Sequence, residues 1–378
     1  MRAIVQVPLR PLEAASWAHS VVPGARYDLS RSFSSQRRDT DDEYTSLDWD
    51  EAESSLVHAV ADRYGVEAGQ VALCPGAGQA VVQALIAMLR PGDHVVVERP
   101  SYEPLFRVPE MLGASVSRID RRIEDGWQLV PERLAKVLTP RTRAVILTNL
   151  HSPSGVACSA RTLAEIASLA ARVGAALLVD EVLLDFAFDP ASAASCRPAC
   201  TIADNAISFS STSKGFGLPE LRVGWLVTRD PELARGLRIA SDYLHTRLPA
   251  TTARLAAHAL RHADDFIPRA NRLASAGRRV VERWAQGEPR IEWVPPHAGV
   301  HTLVRLPIGV NDLAFAAHLR ARYETQVLPG SILEASQCVR LGFAAPTQVL
   351  EQGLANFSAA LDDLQGGATP DRPPQDAA

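Results

Sequence analysis

Residues 208–225 read SFSSTSKGFGLPELRVGW, an apolar strand running into a glycine-rich turn with Lys214 at the junction. Lys214 is one of two lysines in a chain whose 39 basic residues are otherwise arginines. The other is Lys136. Arginine keeps its proton in a protein, whereas lysine can lose one and become an amine nucleophile. Lys136, within PERLAKVLTP, reads as the polar face of a helix. Lys214, at a strand end among small residues, reads as a Schiff-base lysine that would hold an aldehyde group.

Working outward from this strand, the chain alternates. Strand-like apolar runs fall at 71–74, 94–98, 144–149, 175–180, 206–210 and 223–227. Helical patterns separate several of them, among them GQAVVQALIAMLRPGD and RTLAEIASLAARVG. DWDEAESSLVHAVADRYG, upstream, reads as an amphipathic helix. That order predicts an α/β fold, three layers deep, with a mostly parallel sheet covered on both faces. Residues 230–285 are rich in Ala, Leu and Arg and read as long helices. Past Gly287, IEWVPP, HTLVRLP, ETQVLPG and CVRLGFA return to strand patterning, which predicts a smaller α+β domain. The expected division is an N-terminal arm over 1–43 that joins the small domain, a large cofactor-binding domain over 44–260, a small C-terminal domain over 261–365, and a disordered Pro/Gly-rich tail over 366–378.

Composition narrows the partners. The chain has 378 residues, 47% hydrophobic and 22% charged, which is ordinary for a soluble globular protein. A net charge of -4 and a pI near 6.2 argue against nucleic acid or a membrane surface as the main partner. The N-terminal stretch has no apolar core of signal-peptide length, and no run is long enough to span a bilayer, so the expected location is cytoplasmic. Five cysteines, Cys74, Cys158, Cys196, Cys200 and Cys338, make an odd set without a paired C-x-x-C. They read as reduced thiols, and no metal site is expected.

The chemistry should sit beyond the carboxyl ends of the strands, where open parallel sheets bind ligands. Gly76, Ala77 and Gly78 precede a helix in CPGAGQAVVQAL. Such a start is either a tight turn or an anion site built from free N–H groups. Asp180 ends GAALLVD. A strand-end acid is either a helix cap or a partner for a protonated pyridine nitrogen. Arg222 has the fork to grip a phosphate together with Ser211. Tyr102, in ERPSYEPL, is either a core aromatic or a stacking platform for a flat ring.

Together these pieces resemble a fold-type I pyridoxal-phosphate enzyme of the class I/II aminotransferase family, from about residue 28 to 362. SSTSKGFGLPELRVGW is similar to the family's Ser-x-Ser/Thr-Lys, Gly-Leu and Leu-Arg-x-Gly-Trp pattern. The resemblance implies pyridoxal 5'-phosphate as cofactor, with its aldehyde on Lys214. It implies a phosphate held by Ser211, Ser213, Arg222 and the loop Gly76, Ala77, Gly78. It further implies a ring stacked on Tyr102 and paired with Asp180, and a substrate α-carboxylate clamped by Arg340 in CVRLGFA. Tyr44 resembles the tyrosine that reaches a phosphate in the neighbouring subunit of a homodimer. Ser30 and Ser32, in YDLSRSF, stand where the family's arm faces the substrate, without its usual glycine.

Two departures bear on the reaction. The family loop reads Asn-Pro-x-Asn-Pro-Thr-Gly, but here it is NLHSPSG, so Ser152 replaces the asparagine that donates to the cofactor's phenolate oxygen. The family's second donor, a tyrosine three residues after the aspartate, is Leu183, which has no donor to offer. His151 is the nearby candidate to replace them. The implied function is transamination of an α-amino acid; the alternative is a lyase of specialised metabolism that carries out β-elimination, replacement or decarboxylation. A sensor domain of a transcription regulator is disfavoured by the acidic pI and by a chain that starts directly with the arm.

Overall fold

Four strands buried along their whole length, VALC, ALLVD, AISFSS and GWLVT, cannot sit at a solvent face, and the fold covers both sides of them. A computed structural model describes residues 48–186 and 196–365. The expected arm and tail, with Ser30, Ser32 and Tyr44, lie outside the described residues.

The first unit runs α1 (Trp49–Tyr64), β1 (Val71–Cys74), α2 (Ala77–Met88), β2 (His94–Arg99), α3 (Pro104–Met111), β3 (Ser115–Asp120), α4 (Pro131–Val137), β4 (Thr142–Thr148), α5 (Ala160–Arg172), β5 (Ala176–Asp180), β6 (Ala206–Ser211), β7 (Gly224–Thr228), α6 (Pro231–Leu244) and α7 (Ala250–Arg261). Its seven-stranded sheet has the order β1-β7-β6-β5-β4-β2-β3. The pairs β3/β2, β2/β4, β4/β5 and β5/β6 are parallel, while β7 runs antiparallel to both β6 and β1. The mostly parallel sheet is therefore as expected. The expected strands appear within two residues of their limits. β3 was not expected: it is an edge strand whose SVSRID is only partly buried and so carries no apolar run.

Each face of the sheet has its own core. Leu85, Met88, Leu105 and Leu237, on helices, pack on Val95, Ile146 and Phe209. Leu134, Leu163 and Ile166 pack on Val145, Leu177 and Val179. Because neighbouring strand residues point to opposite faces, Val145 and Ile146 serve different layers. Trp225, fully buried, donates its indole N–H to the Tyr64 hydroxyl at 3.0 Å and ties β7 to α1.

The second unit follows the long helix α8 (Ala263–Gly287): β8 (Glu292–Trp293), β9 (His301–Arg305), α9 (Asp312–Tyr323), β10 (Leu328–Pro329), β11 (Cys338–Gly342) and α10 (Thr347–Gln365). Its antiparallel sheet has the order β10-β11-β9-β8. Val304, Val339 and Leu341 point one way, into a core with Val281, Phe315 and Phe357 from α8, α9 and α10. Leu303 and Cys338 point the other way, against Ile123, Trp127 and Val156 of the first unit. We propose residue 261 as the division between the two units; α8 spans it, since Ala263, Phe266 and Ile267 pack on the first core and Ala274 and Val280 on the second. Among the described residues no helix is long and apolar enough to cross a membrane.

Candidate active site

The site begins where β1 stops. Gly76, at φ +87°, caps α2, and the N–H groups of Gln79 and Ala80 donate back to its carbonyl. The amides of Ala77 and Gly78 precede any intrahelical acceptor and stay open. β7 abuts this turn because Gly224 has no side chain: a Cβ there would lie 2.7 Å from the Gly76 carbonyl carbon. Arg222, in left-handed backbone at φ +51°, lays its guanidinium over the helix start; a Cβ on Gly76 would meet its Nη2 at 2.5 Å. The Arg222 Nη1 donates to the Pro219 carbonyl at 3.2 Å. Open amides under a guanidinium make a cradle for a dianion, and only glycine leaves room for it. Ser211, buried at the end of β6, accepts from the Ser213 N–H at 3.3 Å.

Asp180 ends β5 and is 8% exposed. Its Oδ1 accepts from the Val182 N–H at 3.1 Å. Burial pushes its carboxyl up to about 7, Glu98 adds to this, and the Val182 hydrogen bond and Lys214 oppose it. Beside it, the Asn149 N–H donates to the Asp180 carbonyl at 2.8 Å, and the Asn149 Oδ1 accepts from the Cys158 N–H at 3.0 Å. The Asn149 Nδ2 is buried with no partner among the described residues. The Ser152 N–H donates to the Thr148 hydroxyl at 2.9 Å, which donates in turn to Glu98 Oε1 at 2.6 Å. Glu98 pairs with Arg121 at 2.7 Å, and both side chains are wholly buried. Sequence reasoning passed over this pair because neither residue stands out in its segment. Removing one partner would strand the other's charge, so the pair braces the loop that carries Ser152.

Lys214 is exposed in the turn after β6. The turn is pinned by the Gly217 N–H donating to the Lys214 carbonyl at 3.0 Å. Gly215 is required there, since a Cβ would lie 2.7 Å from the Asp185 Oδ2. The Lys214 charge acts on both Asp180 and His301. Arg340, on β11, is half-buried, which holds its guanidinium below the usual value, and the field of Tyr102 counters this. Tyr102 follows β2 and is 44% exposed. The fold thus brings Gly76, Ala77, Gly78 and Arg222 to one corner, Asp180 and Ser152 to another, and Lys214, Tyr102 and Arg340 to the space facing them.

The departures have physical outcomes. Leu183 is 3% exposed and packs with Leu150, Phe186 and Ala298, so its position contributes packing. His151 does not replace the missing donors. Its Nε2–H donates to the Pro100 carbonyl at 3.0 Å, and its Nδ1 accepts from the Ser154 hydroxyl at 2.6 Å. Both ring nitrogens serve the loop. His301 was missed altogether, because nothing in HTLVR distinguishes it from an ordinary strand residue.

The carboxylates set a pH dependence. Burial raises Asp180 to about 7 and Glu181 to about 8. Both hold protons more tightly in the folded chain than in the unfolded one. Their contribution to stability is therefore fully present below the unfolded carboxylate range, near pH 4, and is lost as pH rises through 7 to 8. Asp180→Asn should stabilise the cofactor-free protein at pH 8 by roughly 2–4 kcal/mol and flatten the fall in melting temperature between pH 5 and 8. A thermal melting series on both proteins checks this; identical slopes would reject it.

The donor set fits a phosphorylated pyridine aldehyde. The cradle would suit a phosphate, Asp180 could share a proton with a ring nitrogen, and Lys214 could offer the amine. Comparisons agree. The family model for aminotransferase class I and II matches residues 35–356. Capreomycidine synthase of Streptomyces vinaceus is 35% identical over 305 residues, covering 80% of this chain and 77% of that protein. Arginine–pyruvate transaminase of Pseudomonas aeruginosa is 29% identical over 332 residues, 83% and 82% of the two chains. The solved structure of a PLP-dependent aminotransferase from Streptococcus suis superposes with a TM-score of 0.79 at 27% identity, covering 85% of each chain.

Proposed function

The chain belongs to the class I and II aminotransferase family, whose cofactor is pyridoxal phosphate, and on that footing we propose that it removes the Cα proton of an α-amino acid and carries the product on to transamination. The observation that carries this reading is the meeting of three groups: Lys214, whose charge acts on Asp180, and Arg340, which faces the same space from the second sheet. The cradle of Gly76, Ala77, Gly78, Arg222, Ser211 and Ser213 would hold the cofactor phosphate. Asp180 would hold a proton at the ring nitrogen, with Tyr102 and Ser152 beside the ring. When bound, the cofactor supplies an electron-withdrawing ring that acidifies the Cα–H bond. Lys214 would take that proton from Cα as general base and, for transamination, deliver it as general acid to the cofactor's aldehyde carbon rather than back to Cα. Arg340 orients the carboxylate by a fork pair. The family habit supports a homodimer with shared sites, to which Tyr44 would contribute.

The second reading is elimination or replacement at Cβ, possible only on a substrate with a leaving group there. It is favoured by Leu183, which gives the cofactor oxygen no donor, and by a relative named as a synthase. The similar protein named as an arginine–pyruvate transaminase suggests an amino acid with a basic side chain as the first substrate to test. Loaded enzyme should be given arginine with pyruvate, and arginine bearing a leaving group on Cβ. Alanine and a 2-keto acid from the first mixture support transamination. Loss of the leaving group from the second, with no amine passed to pyruvate, assigns elimination. If neither substrate reacts while other amino acids do, the basic side chain is the wrong class.

A further inference from the structure

The register of the second sheet places one more polar group at this site. On β9 and β11, Arg340 lies opposite Leu303, and His301 lies opposite Gly342. Residues directly opposite share a face, as do residues two apart on one strand. Arg340, Leu303 and His301 are therefore on one face, and Leu303 shows that it is the face turned to the first unit. His301 is the diagonal neighbour of Arg340, and Gly342 puts no side chain across from it. The loop that carries Ser152 closes the other side. Its last residue, Gly155, packs so tightly on the β9 start that a Cβ would lie 2.9 Å from the His301 carbonyl oxygen.

His301 is 9% exposed, and its Nε2 has no hydrogen-bond partner among the described residues. A buried ring nitrogen left unpaired is a standing cost to the folded protein. The two charges that act on the ring are those of Arg340 and Lys214. Burial and these two cations push the imidazole down to about 3, so it is neutral and carries one N–H. A neutral donor beside two cations has an anion as its best partner.

We propose that His301 is a substrate-binding residue that shares the amino acid's α-carboxylate with Arg340, donating a ring N–H to that carboxylate. The inference rests on Arg340 being the carboxylate clamp. Under that reading the carboxylate lies against Arg340 and the reacting carbon against Lys214, and His301 borders the segment between them. No bond is made or broken at the imidazole.

The test uses loaded enzyme and two amines, each read for binding before any turnover. One is 2-aminoisobutyrate, which has a carboxylate and no Cα proton. The other is isopropylamine, the same skeleton with hydrogen in place of the carboxylate. Binding is read from the change in visible absorbance. His301→Phe should weaken 2-aminoisobutyrate on the order of tenfold or more, the range for a hydrogen bond to a charged group, and leave isopropylamine unchanged. His301→Gln, which keeps an N–H donor, should stay near wild type. If His301→Phe does not fold, His301→Leu provides the same comparison. In cofactor-free protein, nitrogen-15 spectra of the His301 ring should shift on adding propionate. Equal losses for both amines, or none for either, would overturn the proposal. Arg340→Ala separates the failures. If it too fails to distinguish the amines, the carboxylate subsite is misplaced and this inference falls with it; if it distinguishes them and His301→Phe does not, only the role of His301 falls.

Discussion

Lys214→Ala is expected to abolish turnover, by roughly four orders of magnitude or more, since it removes both the covalent anchor and the proton carrier. The visible absorbance of the loaded protein should be lost as well. Replacement from nearby is not available. The other lysine, Lys136, lies exposed in the last turn of α4, on a helix that packs against α5 and β3 rather than at the strand ends. Borohydride reduction followed by peptide mass spectrometry should place the cofactor on the peptide that contains Lys214. Labelling of Lys136 in the wild type would refute the assignment. Gly215 predicts a second, smaller effect in the same turn: with 2.7 Å between a would-be Cβ and the Asp185 Oδ2, Gly215→Ala must displace either the Asp185 side chain or the segment that presents Lys214.

Arg340→Ala should lower kcat/KM for amino acids by about 2–4 kcal/mol, roughly 30- to 1,000-fold, which is the range for losing one partner of a buried, charge-assisted pair. The half-buried guanidinium leans toward the first unit from β11 and is not drawn into a hydrogen bond or ion pair with another described residue. It is thus available to an incoming anion. Simple amines should be poor substrates of the wild type, and Arg340→Ala should change them little, because they have no carboxylate to lose. Arg340→Lys should recover only part of the loss, since an ammonium cannot match two carboxylate oxygens at once. Amino acids handled equally well by wild type and Arg340→Ala would remove Arg340 from the site.

Much of this was legible in order along the chain. Strands covered on both sides need apolar residues on both faces, so β1, β4, β5 and β6 announce themselves as short apolar runs, and the residues that end them are fixed by position. That is why Gly76, Asp180 and the turn holding Lys214 could be named from residue types alone. A lysine in a chain of arginines is a chemical signal that needs no fold. The direction of β7 was not legible, because a strand reads alike in both directions, and its place between β6 and β1 is set by long-range pairing. β3 was missed because SVSRID, a partly exposed edge strand, carries no apolar run.

The surroundings of the site were decided only by the tertiary structure. His151 looked free in NLHSPSG, yet packing takes both its nitrogens for Pro100 and Ser154. Glu98 and Arg121 are 23 residues apart and become one buried pair only when β2 and the segment after β3 lie side by side. His301 gained its meaning from a sheet register and from two cations that approach it from distant parts of the chain. A sequence states which groups are present and where strands can end. Which groups are buried, which are already partnered, and whose field acts on whom depend on contacts between residues far apart in the chain, and these exist only in the folded molecule.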